Sequence, residues 1–74
     1  MSQATEIYSH EFDSIFSRLS PIMRQRVQDK IRLLGSRLDN FPHQRLQGRP
    51  EFRLRVGDYR VIYEFDLESN ELFS

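Results

Sequence analysis

The residues best suited to chemistry lie in one short run, FRLRVGDYRVIYEF, from Phe52 to Phe65. Phe52, Leu54 and Val56 alternate with Arg53 and Arg55, the period-2 signature of a half-buried strand. Gly57-Asp58 reads as a two-residue hairpin turn, because glycine supplies positive φ and aspartate tolerates turn geometry. Tyr59 to Phe65 is rich in aromatic and β-branched residues and reads as the returning strand. That loop pairs Val56 with Tyr59, Arg55 with Arg60, Leu54 with Val61 and Arg53 with Ile62. Arg53, Arg55 and Arg60 then share one face with Ile62 and Glu64, while Phe52, Leu54, Val56, Tyr59, Val61, Tyr63 and Phe65 share the other. Like charges directly opposite one another on paired strands are destabilising. An anionic ligand offsets that cost, and phosphate is the natural candidate. Arginine stays protonated at all ordinary pH and is a poor general base, so the chemistry open to these three residues is electrostatic stabilisation of developing negative charge. The competing reading is a solvated sheet face with Glu64 as a partial counterion.

Charge along the chain supports a special role for this region. The eleven basic and eleven acidic residues cancel. Residues 41–60 nevertheless carry five arginines against Glu51 and Asp58, and residues 61–74 carry four acids and no base. Ten of the eleven basic residues are arginine, the side chain whose planar fork grips phosphate. Ahead of the hairpin, the stretch from His43 to Pro50 reads as a loop or short edge segment rich in basic and polar residues. His43 reads as an ordinary loop histidine rather than a proton shuttle, and Glu64 as a counterion rather than a base. Tyr59 and Tyr63 read as core residues. His10 and His43 lack metal-ligand spacing and the chain has no cysteine, so neither a metal site nor a cofactor is expected.

These side chains must be held by a small scaffold. Seventy-four residues, 38% hydrophobic and 30% charged, imply a single domain spanning residues 1–74. Residues 4–8 read as a short first strand. Ser9 caps a helix carrying Phe12, Ile15, Phe16 and Leu19 on one face. Ser20-Pro21 starts a second helix, with Ile22, Val27, Ile31, Leu34 and Leu38 as its apolar stripe, ended by Asn40-Phe41-Pro42. Glu71 to Ser74 reads as a third strand of the meander. The expectation is an α+β fold: a short N-terminal strand, a two-helix hairpin, then an antiparallel β-meander packed on the helices. The first residues have no basic n-region followed by an apolar run, and no stretch is apolar enough to span a bilayer, so a cytoplasmic protein with no membrane partner is expected.

The run RLQGRPEFRLRVGDYRVIYEF, Arg45 to Phe65, resembles the heart of the RelE/ParE toxin superfamily. There, an L-(K/R)-G loop leads into a Y-(R/K)-L-R-V-G-D-Y-R-(V/L)-(V/I)-Y hairpin. The order of elements ahead of it matches too, so the resemblance covers nearly the whole chain and implies a RelE-like toxin fold. It implies the toxin of a type II toxin–antitoxin system, neutralised by a cognate antitoxin protein. The RelE branch cleaves mRNA in the A site of the 70S ribosome through 2′-hydroxyl attack, and the keeping of all three hairpin arginines favours that ribosome-dependent endoribonuclease reading. It assigns Arg53, Arg55 and Arg60 to catalysis and Arg45, Gln47, Arg49 and Glu64 to RNA contact. The ParE branch, which inhibits DNA gyrase, is the alternative, and an inactive toxin that only binds antitoxin is a third. The family pattern continues past the point matching Ser74, so the expectation is a chain lacking the last strand end and C-terminal tail. An exposed sheet edge, open to self-association, would follow.

Overall fold

The computed structural model describes residues 2–74. Its elements are β1 (Thr5–Ile7), α1 (His10–Phe16), α2 (Pro21–Ser36), β2 (Gln44–Arg45), β3 (Phe52–Val56), β4 (Tyr59–Asp66) and β5 (Glu71–Phe73). The α+β architecture is the one expected. Both caps form as the residue types dictate. The Ser9 hydroxyl accepts from the Phe12 amide at 3.0 Å, and the Ser20 hydroxyl from the Met23 amide at 3.2 Å. Pro21 occupies the first turn of α2, where its missing N–H costs nothing.

The hairpin register is as the alternation predicts: Arg55 faces Arg60, Leu54 faces Val61 and Arg53 faces Ile62. Gly57 adopts a φ of 60° while Asp58 stays at negative φ, the pattern of a type II′ turn. The core lies between α2 and one face of the sheet. Val27, Ile31 and Leu34 of α2 and the following Leu38 meet Leu54, Val56, Val61, Tyr63 and Leu72, all buried. Each such side chain contributes roughly 1.5–3 kcal/mol by leaving water.

Several expectations are corrected. The third strand has a neighbour outside the meander: β1 pairs with it in parallel, giving the order β1-β5-β4-β3-β2, while β5 meets β4 only from Glu64 to Asp66 and leaves that side of Tyr59 to Ile62 without a strand neighbour. Asn70 explains the pairing. Its φ of 55° closes the tight turn after β4, its carbonyl accepts from the Thr5 amide at 3.0 Å, and its side-chain amide donates to Ser2. The second helix ends at Ser36 rather than near Asn40, so Leu38 reaches the core from beyond it. Ile22 and Ile15 are exposed rather than part of the buried stripes. Tyr59, expected in the core, is 44% exposed, because it lines an open groove with Phe12, Ile15 and Phe16 of α1.

His43 is a structural pin. Its Nε2 lies 2.8 Å from the Leu38 carbonyl, which can only accept, so Nε2 carries the proton. Its Nδ1, 2.7 Å from the Tyr63 hydroxyl, therefore accepts from it. The ring stacks on Phe65 with centroids 4.1 Å apart, and Phe41 and Phe52 flank it. This cluster ties the segment after α2 to the inner face of β4.

Two changes test the pin. Burial pushes the Tyr63 hydroxyl up to about 12, above the ordinary tyrosine value of 10.0. The folded state thus holds this proton more tightly than the unfolded one. Its contribution is full below pH ~10 and lost as pH rises toward ~12. We expect Tyr63→Phe to cost about 1 kcal/mol at neutral pH, by leaving Nδ1 without a donor, and to flatten the alkaline loss of stability. Leu34→Ala should cost about 3 kcal/mol through a buried cavity. Urea unfolding across pH reads all of these.

Candidate functional site

Cross-strand partners share a face, so the registers map the side of the sheet that carries no helix. Arg53, Arg55, Arg60, Ile62 and Glu64 of the hairpin lie on it. The pairing Gln44↔Arg53 adds Gln44, and Glu64↔Phe73 and Ile7↔Phe73 add Phe73 and Ile7. Asp66 and Glu71 lie farther along the same face. The three arginines of the hairpin are therefore brought together, as expected. Arg55 and Arg60 are exposed and directly opposed. Arg53 donates through Nε to Gln44 Oε1 at 3.4 Å.

Glu64 does not serve as their counterion: among the described residues the ion pair formed is Arg49–Glu51, at 3.3 Å. The strand direction explains this, since Glu64 is four positions along β4 from Arg60, toward Asp66. The arginine cluster thus keeps its full charge.

The basic loop is not one unit with that cluster. Arg45 pairs with Phe52 and so points to the opposite face, where its guanidinium carbon lies 4.6 Å from the Phe52 ring centroid. Arg49 is held by Glu51, whose carboxyl lies below the usual carboxylate range through its own backbone amide and Arg49. Gln47 is exposed in the turn between β2 and β3. Both nitrogens of His43 are engaged, so it has no free position for proton transfer. Among the described residues, no cluster of three histidine or acidic side chains is placed to hold a metal ion.

Sequence reasoning placed Ile62 on this face but missed Ile7 and Phe73. Ile7, Ile62 and Phe73 are each 38–40% exposed. Ile62 stands between Arg60 and Glu64 along β4 and opposite Arg53, while Phe73 and Ile7 stand level with Glu64 on β5 and β1. The face is bipolar, with an apolar centre. Its apolar centre depends on the parallel β1–β5 pairing, and that was the signal lacking in the local pattern.

A short strand, two helices and an antiparallel-rich sheet with an arginine-bearing hairpin define a small toxin of the RelE/ParE superfamily. The family model described as the ParE toxin of type II toxin–antitoxin system, parDE, matches residues 2–73, and the chain belongs to that family. No curated protein matches it. The family implies an antitoxin as partner. No helix among the described residues is long and apolar enough to cross a membrane.

The opposed arginines are a cost to the fold. Arg60→Glu converts a repulsive cross-strand pair into an attractive one. We expect it to raise the unfolding midpoint, by about 0.5 kcal/mol in stability terms, while abolishing growth inhibition in cells. Thermal unfolding and a plating assay check the two halves.

Proposed function

We propose that this chain is a ParE-type toxin that acts in the cytoplasm by docking on a protein target through the helix-free face, and that a cognate antitoxin holds it inactive. DNA gyrase is the target that the ParE branch implies. The observation carrying this reading is the make-up of the face. Exposed Ile62, Phe73 and Ile7 form an apolar strip level with Glu64, with Arg53, Arg55 and Arg60 toward the Gly57-Asp58 turn and Asp66 and Glu71 toward the other end. An apolar centre with a charged rim of both signs is the anatomy of a protein interface. A phosphate backbone would be repelled by the acidic end, whereas protein surfaces that bind nucleic acid are mainly positive. In this reading the arginines give orientation and on-rate rather than catalysis.

The second reading is ribosome-dependent mRNA cleavage. The clustering of Arg53, Arg55 and Arg60 without ion partners favours it, since that cluster suits the charge of a phosphorane-like transition state. Arg45, Gln47 and Arg49 would then contact RNA. The general base is the difficulty: arginine stays protonated and His43 is committed to the core, which leaves Glu64 as the carboxylate nearest along the face.

Two assays separate the readings. The docking reading predicts that the purified chain inhibits DNA supercoiling by gyrase, that Ile62→Glu weakens inhibition at least about tenfold, and that mRNA on stalled ribosomes stays intact. Cuts within the A-site codon that vanish in the triple variant Arg53→Ala, Arg55→Ala, Arg60→Ala, with gyrase unaffected, would establish the nuclease instead.

A further inference from the structure

A second cationic surface lies around the corner from the arginine face, at the outer edge of β3. Strand β2 covers β3 only at Phe52 and Arg53. From Leu54 to Val56 that side of β3 has no strand neighbour. The turn pairs Val56 with Tyr59, so the backbone groups of Val56 and Leu54 point to β4, and those of Arg55 point to the open side. The Leu46 amide donates to the Glu51 carbonyl at 2.9 Å, which fits the same alternation along this edge.

Beside the open edge runs a groove of about 450 Å³ between β3 and α2. Arg26, Lys30 and Arg55 line it, with Asp29 as its acid and Leu33 as its apolar wall. Asp29 accepts a hydrogen bond from the Gln25 side chain at 2.9 Å. None of the three cations is in an ion pair. The Arg26 guanidinium lies close against the turn, within 3.5 Å of where a side chain on Gly57 would begin. Three unpaired cations, an unused strand edge and an exposed Leu33 thus share one small surface.

We propose that this groove binds an acidic, extended segment of a protein partner by strand addition to β3. The Arg55 N–H and carbonyl supply the main-chain pairing, the mode by which peptides add to free sheet edges. Residues of the segment opposite Leu54 and Val56 point toward α2, where acidic side chains meet Arg26 and Lys30. The residue opposite Arg55 points to the helix-free face and meets the Arg55 guanidinium. Three consecutive acids at the centre of the segment satisfy all three cations. The main-chain pairing at Arg55 selects a peptide over a nucleic-acid strand. Occupation of the edge also pairs the Arg55 guanidinium with an acid on the arginine face itself, which couples the two surfaces. That coupling rests on Arg55 serving the target proposed above; the docking itself does not.

The test is a nuclear magnetic resonance titration of the isotope-labelled chain with the blocked peptide Thr-Val-Glu-Glu-Glu-Val-Thr. The same peptide with Gln for Glu, and a short single-stranded oligonucleotide, are run beside it. We expect shifts at Arg26, Lys30, Leu33 and Leu54 to Gly57, and slower hydrogen exchange at the Arg55 amide. The Gln peptide should bind several-fold more weakly, and Arg26→Ala with Lys30→Ala should weaken the Glu peptide by about tenfold. The double variant must keep a dispersed spectrum; both positions are exposed, so the fold does not depend on them. Three results would overturn the proposal: shifts confined to Arg53, Arg60 and the helix-free face, an unprotected Arg55 amide at saturation, or an oligonucleotide that displaces the peptide from the groove. A loss of gyrase inhibition, with peptide binding intact, would count against the target and leave the docking standing.

Discussion

Arg55 and Arg60 stand directly opposite each other because the Gly57-Asp58 turn permits one register and no other. A slip by one residue would turn Leu54, Val56, Val61 and Tyr63 out of the core, at a cost of several buried side chains. Repulsion between two exposed guanidinium groups is worth far less than that. The fold therefore imposes the pair, and the charge it concentrates is available for binding. The same alternation brings Arg53 onto the helix-free face and orients the Arg55 backbone toward the open edge of β3. One turn thus sets both cationic surfaces.

Much of this was legible in the sequence because it is local. Strict alternation from Phe52 to Val56, a glycine suited to positive φ and a β-branched return strand fix the hairpin within fifteen residues. Ser9 and Ser20-Pro21 mark the helix starts by hydrogen-bond chemistry that needs no distant partner. The rest depends on long-range contacts. Parallel pairing of β1 with β5 joins Ile7 to Phe73 across almost the whole chain, and no periodicity reports it. For the same reason Ile7 and Phe73 could not be placed beside Ile62 on the helix-free face. His43 looked like a loop residue because its partners, Leu38 and Tyr63, come from both sides of it.

The sequence resemblance gave the superfamily but weighted its two branches by the arginines alone. Three arginines suit a scissile phosphate and a charged protein rim equally well. What separates the two is the company they keep. The exposed Ile62 beside them, Phe73 and Ile7 next to it, and the acids beyond all favour a protein partner, and His43 is bound to the core on the other side of the sheet. The family match, to the ParE toxins, points the same way.

The central claim is that the helix-free face meets protein. The most direct measurement is to place a photo-crosslinking amino acid at Ile62, express the chain in living cells, irradiate them and identify what is attached. The account predicts a protein adduct containing a gyrase subunit, lost when Arg55 and Arg60 are both replaced by alanine. An adduct with ribosomal or messenger RNA at Ile62 would contradict it.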